Sequence, residues 1–225
     1  MKEDLIDRQM QDWIAGGEVA GAALTVRGER GVFYEKCWGW RNLEEKIPVT
    51  PDTIFRLASM TKPVTAAAVM ILVEQGKLRL DDEIGKFIPE LASPRVCKTV
   101  VGTGSMLDPA SPNPGSLEFE PARRAVTIRD LLSHSGGLGM GPVGIAMAMR
   151  LSDPADTLES RIHRFQDLPA DFHPGEATGY SPLVGFDALG RVVEASSGMT
   201  LDRFLDEHLF RPLGMRDTVF RLTGG

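Results

Sequence analysis

Residues 55–63 read Phe55-Arg56-Leu57-Ala58-Ser59-Met60-Thr61-Lys62-Pro63, followed by an apolar run from Val64 to Val73. Ser59 and Lys62 stand three apart at the start of a helical pattern that extends to Gln75 and closes at Gly76. Both side chains therefore emerge on one helix face, within hydrogen-bonding reach. Serine is a poor nucleophile as the free alcohol, and an amine beside it can take its proton only in the neutral form, which the positive end of a helix dipole favours. Pro63 lacks an amide hydrogen, so the helix cannot begin well before Ser59 and the pair belongs to its first turn. A Ser and a Lys at this spacing turn up about once by chance in a chain of ordinary composition, and alone they read as an N-cap serine and an exposed lysine. The surrounding sequence decides between the two.

Upstream, Asp4 to Ala15 carries Leu5, Ile6, Met10, Trp13 and Ile14 at helical spacing and ends at Gly16-Gly17. Two β-rich runs, 19–26 and 32–40, flank Gly28-Glu29-Arg30-Gly31 and predict an antiparallel hairpin. A lone hairpin is marginal, so its sheet is expected to be completed by a second chain or by a missing C-terminal segment. Downstream, a short helix is expected over 81–87, stopping at Pro89. An irregular loop follows over 94–121, rich in Gly, Pro, Ser and Asn. Helical patterns then recur at 127–132, 143–149, 157–165, 183–196 and 201–209, so that the chain reads as all-helical from about residue 90.

Around the Ser59 stretch, Gly76-Lys77-Leu78-Arg79-Leu80-Asp81-Asp82 and Phe87-Ile88-Pro89 follow the apolar helix. Further on come Thr127-Ile128-Arg129-Asp130-Leu131-Leu132-Ser133-His134-Ser135-Gly136-Gly137-Leu138, Pro174-Gly175, Tyr180-Ser181, Leu189-Gly190 and Arg211-Pro212-Leu213-Gly214-Met215. In this order the segments resemble the serine β-lactamase and penicillin-binding-protein superfamily, especially its class C and carboxylesterase branches, whose related members carry an S-x-x-K motif. The resemblance implies an α/β fold of the α+β type: an antiparallel sheet flanked by helices plus an all-helical domain, with the sheet incomplete in this chain. It divides the chain into residues 1–90, the first part of the α/β domain with the S-x-x-K helix, and 91–225, the mainly helical domain.

The resemblance also implies the site. Ser59 is the nucleophile, Lys62 its base, and Tyr180, at the family's Y-x-N position, relays the proton across the cleft. The third position of that motif is Pro182, where lactamases and peptidases carry an asparagine that contacts the substrate's amide; this favours the branch that hydrolyses small carboxylic esters. The family's third motif, a Lys/His-Thr/Ser-Gly strand that supplies one oxyanion-hole amide beside that of Ser59, is expected beyond residue 225. Neither Lys98-Thr99-Val100 nor Thr223-Gly224 replaces it, and losing one such donor costs roughly 100- to 1000-fold in turnover. The expected activity is thus a carboxylesterase working through an acyl-enzyme on Ser59. The alternatives are a β-lactamase or D-alanyl-D-alanine peptidase, or a non-catalytic fragment or binding module.

Other signals are bland. A net charge of -6 and the absence of a basic cluster disfavour nucleic acid as a partner, and Arg123-Arg124 with Arg129 reads as solvated surface. No apolar stretch approaches the roughly 20 residues of a membrane span. The charged amino terminus has no export-signal pattern, so the expectation is a cytoplasmic chain in which Cys37 and Cys97 are buried or idle thiols. Gly139-Met140-Gly141-Pro142-Val143-Gly144 satisfies G-x-G-x-x-G but lacks a preceding strand, and reads as a flexible loop. His134, His163, His173 and His208 show no metal-ligand pattern, and His134 reads as structural. No metal or other cofactor is expected, only a small-molecule ester substrate.

Overall fold

The computed structural model describes residues 3–98 and 118–221. By internal contacts the chain separates into two units, residues 1–56 and 57–225. That boundary is one of compactness. The partition at residues 90 and 91 groups elements by type and remains a proposal about domain layout.

In the first unit, helix α1 (Glu3–Ala15) precedes strands β1 (Gly21–Gly28) and β2 (Gly31–Asn42), which pair antiparallel from Gly21 with Gly39 to Gly28 with Gly31. The hairpin falls where the two glycines flank Glu29-Arg30. Strand β3 (Ile47–Pro48) adds a third member on the far side of β2, giving the order β1-β2-β3. Its two residues, one of them proline, are too few to show any period in the sequence. Asp7 of α1 accepts hydrogen bonds from Trp38 Nε1 at 2.8 Å and from Lys36, fixing the helix to β2.

The second unit begins with a 3-10 turn at Ala58–Met60, which runs into α2 (Thr61–Glu74). The buried residues Thr65, Ala68, Val69 and Leu72 recur at helical spacing, while Met70 faces outward. Gly76, with φ of +71°, ends the helix: its N–H bonds Val73 O at 2.9 Å and that of Lys77 bonds Leu72 O at 2.9 Å, pairing carbonyls of the last turn.

After α2 the expected helix over 81–87 is replaced by 3-10 turns at Ile84–Lys86 and Pro89–Leu91. Ile84 N–H and Ile128 N–H are drawn into bonds with Val126 O and Asp82 O, which ties the segment to the chain ahead of α3 instead of closing an α-helical ladder. The all-helical reading beyond residue 90 also needs correction. Strands β4 (Arg95–Cys97) and β5 (Phe119–Pro121) pair antiparallel and bracket the expected loop. Each is three residues long, and their pairing is non-local, so neither left a period-2 signal. Most of that loop, 99–117, lies outside the described residues.

Helices α3 (Ile128–Leu132), α4 (Pro142–Leu151), α5 (Leu158–Arg164), α6 (Val184–Ser197) and α7 (Leu201–Leu205) follow close to the expected positions. Thr127 and Asp130 form a reciprocal capping box at α3, and Thr157 and Ser160 do the same at α5. The last expected helix is interrupted: a π-turn at Asp206–Phe210 separates α7 from α8 (Arg211–Leu213). Residues from α2, α6 and α7, among them Leu72, Leu189, Val193, Phe204 and Leu205, share one buried core with Ile128, Leu131 and Ile162. Each such side chain contributes on the order of 1.5–3 kcal/mol by leaving water.

The glycine-rich segment at 139–144, read as a loop, runs into a helix. Gly141 is the N-cap of α4, and Pro142 is its first residue. The Asp171 carboxylate accepts from Met140 N–H at 2.8 Å and Gly144 N–H at 3.3 Å, so the chain's own anion occupies this helix start. A Cβ at Gly141 would lie 2.6 Å from Asp171 Oδ1, which explains the glycine. Burial raises the Asp171 carboxyl above its ordinary range against those amide bonds. The basic trio is paired, Arg123 with Glu176, Arg124 with Asp130 and Arg129 with Asp81. Cys37 is half-buried and Cys97 buried. Among the described residues no helix is long and apolar enough to cross a membrane.

Candidate active site

Ser59, Lys62 and Tyr180 all belong to the second unit and meet where the start of α2 faces the segment that enters α6. Tyr180 Oη donates to Ser59 Oγ at 2.6 Å, and Lys62 Nζ reaches the same oxygen at 3.4 Å. Two functional groups thus converge on the serine oxygen, one of them from 121 residues away. The serine lies in the 3-10 turn and the lysine in the first α-turn, as Pro63 requires. Ala58, immediately before the nucleophile candidate, has φ of +45°, a left-handed conformation that costs a non-glycine residue on the order of 1–3 kcal/mol. The Ser59 side chain that follows is exposed.

Lys62 is fixed from the other side by a group that the sequence did not reveal. Its Nζ donates to the backbone carbonyl of Pro182 at 3.1 Å and sits 5.0 Å from the Tyr180 ring centre and 5.8 Å from that of Phe186. The residue that departs from the family's Y-x-N motif therefore anchors the lysine through its main chain, and a main-chain oxygen carries no residue-type signature.

The Tyr180 phenol is held below its ordinary value by its hydrogen bond with Ser59, then by the hydrogen bond and charge of Lys62. Its neighbour Ser181 is fully buried: its hydroxyl donates to Leu138 O at 2.9 Å and accepts from Gly185 N–H at 2.9 Å, tying the entry of α6 to the glycine-rich segment. Ser181 N–H donates to His134 Nδ1 at 3.2 Å, which ties it also to the end of α3.

Ser59 and Lys62 open onto a cleft of about 830 Å³ whose lining includes Thr157, Arg161, Phe186 and Asp187. Arg161 and Asp187 form an ion pair at 3.2 Å, and burial raises the Asp187 carboxyl despite that guanidinium. No cluster of three or more His, Cys, Asp or Glu side chains suited to a metal occurs among the described residues. Of the sequences weighed for a third motif, Thr99, Val100, Thr223 and Gly224 lie outside the described residues.

The sequence profile of the Beta-lactamase family matches residues 3–224. The chain belongs to that family. It therefore has the β-lactamase/transpeptidase-like fold. Esterase EstB of Burkholderia gladioli is 34% identical over 210 residues, 90% of this chain and 47% of its own length. The lovastatin esterase of Penicillium rubens is 32% identical over 221 residues, covering 96% and 52%. A putative D-alanyl-D-alanine carboxypeptidase of Escherichia coli K12 is 31% identical over 227 residues, covering 94% and 46%. Among solved structures, the octameric penicillin-binding protein homologue from Pyrococcus abyssi superposes with a TM-score of 0.72 at 28% identity, over 96% of this chain and 44% of its own. The chain spans about half the length of these family members.

Proposed function

We propose that this family member is a carboxylesterase acting on small carboxylic esters through an acyl-enzyme on Ser59. The observation that carries the reading is the convergence of Tyr180 Oη and Lys62 Nζ on Ser59 Oγ. The heavy-atom contacts serve in either direction, so the serine hydroxyl gives its proton to whichever partner is deprotonated. Ser59 Oγ forms a bond to the ester carbonyl carbon, and the proton passes to the Tyr180–Lys62 pair. The tetrahedral intermediate collapses, the bond to the alcohol oxygen breaks, and Tyr180 returns the proton to that oxygen. Water then attacks the acyl-enzyme, releasing the acid and restoring Ser59.

Esters are favoured over amides because position 182 is proline, which offers no side-chain amide to a peptide-like substrate, and because two relatives are named as esterases. The peptidase and β-lactam reading is supported by the Escherichia coli relative. Both readings need a second oxyanion donor beside the Ser59 amide. Cytoplasmic placement is part of the proposal, with fractionation of the natural host as its test.

The discriminating experiment is a parallel assay of p-nitrophenyl butyrate and a chromogenic cephalosporin on this chain, on its Ser59→Ala variant and on a longer version carrying the relatives' remaining half. Ester turnover lost in Ser59→Ala supports the proposal. Cephalosporin turnover without ester turnover transfers support to the lactamase. Inertness of every version favours the binding module.

A further inference from the structure

His134 has no part in the proposed acyl transfer, yet three features bind it to Tyr180. Its Nδ1 accepts the N–H of Ser181, the residue directly after the tyrosine, at 3.2 Å. Its backbone oxygen accepts the N–H of Gly179, the residue directly before it, at 3.0 Å. Its ring lies 5.1 Å from the Tyr180 ring and 5.4 Å from that of Phe186, tilted against both. Tyr180 itself is 52% exposed, so burial of its own ring cannot fix it. His134 also has φ of +55°, which a side chain other than glycine adopts only when its surroundings demand it.

We propose that His134 is a positioning residue that holds the main chain on both sides of Tyr180 and so keeps the phenol within reach of Ser59. The inference rests on the reading of Tyr180 as the proton relay. It requires a neutral imidazole with Nδ1 bare: protonation would turn the acceptor into a donor facing the Ser181 N–H. Burial and then the charge of Lys62 hold His134 below its ordinary value, which maintains that form. The titratable groups facing the ring are Lys62 from α2 and Tyr180 from the segment before α6.

Two substitutions tolerate the left-handed backbone and so isolate the side chain: His134→Gly removes ring and acceptor, and His134→Asn keeps a short acceptor. The chain has two tyrosines, so [13Cζ]tyrosine labelling gives two resonances, which Tyr180→Phe assigns. In the parent protein the Tyr180 signal should shift as His134 protonates below about pH 6.5 and should titrate below the ordinary phenol range. In His134→Gly the acid step should vanish and the phenol titration should move up. The same variant should lose about 10- to 100-fold in ester kcat with KM little changed, and His134→Asn should recover most of that loss.

If the Tyr180 titration and kcat in His134→Gly match the parent, the proposal is overturned. It is equally overturned if the Asn and Gly variants are impaired alike while both remain folded by circular dichroism. Should His134→Gly not fold, the acid step in the parent decides: its presence supports the proposal and its absence overturns it. The nuclear magnetic resonance readout needs no turnover, so Ser59→Ala, which tests the esterase reading, can fail independently of it.

Discussion

Replacing Tyr180 by phenylalanine removes one oxygen from the cluster and leaves the ring. The cation contact from Lys62 at 5.0 Å survives on a phenylalanine face, and so does the stacking on His134. Because the side chain is half exposed, stability should change by less than about 0.5 kcal/mol. What disappears is the hydroxyl 2.6 Å from Ser59 Oγ. A positioned proton-transfer group contributes about 100- to 10,000-fold, so kcat for an activated ester should fall by that factor while KM moves little. The pH profile supplies the sign. If the phenolate is the acceptor, kcat/KM rises as pH rises through the Tyr180 value. Because Ser59 and Lys62 depress that value, the rise should come below the pH of about 10 at which a free phenol ionises. In Tyr180→Phe the limb should vanish. The assay is p-nitrophenyl butyrate hydrolysis between pH 5 and 10, on the longest version that turns over. A Phe variant that retains parent kcat and the same limb would refute the reasoning.

Further expectations follow from particular contacts. Asp171→Ala leaves the buried N–H of Met140 without its acceptor and should cost about 1–3 kcal/mol in urea melts, while Asp171→Asn, which keeps an acceptor oxygen, should cost much less. Leu72→Ala empties a fully buried position in the shared core and should cost about 2–5 kcal/mol, read as a lowered Tm. For Asp130, burial raises the carboxyl, but hydrogen bonds from Arg124 and Thr127 outweigh it, and the folded-state value is lowered. Its contribution is therefore complete above the unfolded value near 4 and lost as pH falls through the lower folded one, and Asp130→Asn should flatten that part of the acid-unfolding curve.

The parts legible in the sequence were those with local causes. Gly28 and Gly31 marked the hairpin, the helical pattern over 127–132 marked α3, and Pro63 set where α2 could start. The parts that escaped have distant or main-chain causes. Strands β3, β4 and β5 are two or three residues long and exist because remote chain comes alongside. The 3-10 turns at 84–91 follow a segment tied to remote chain by the bonds of Ile84 N–H to Val126 O and of Ile128 N–H to Asp82 O, which their own composition does not announce. At the site, Ser59, Lys62 and Tyr180 were named from motif and resemblance, and the geometry brings them together. The Pro182 carbonyl that anchors Lys62 was invisible because every residue has one, and the tie from His134 to Ser181 depends on a backbone turn that no spacing rule encodes.

The central claim is that Ser59 becomes acylated, and it can be tested without full turnover. The chain would be incubated with a fluorophosphonate probe or with p-nitrophenyl butyrate, then analysed by intact mass and by peptide mapping across residues 57–77. A single adduct on Ser59, absent in Ser59→Ala and strongly slowed in Lys62→Ala and Tyr180→Phe, is the predicted result. An adduct on another residue, or labelling that persists unchanged in Ser59→Ala, would contradict it.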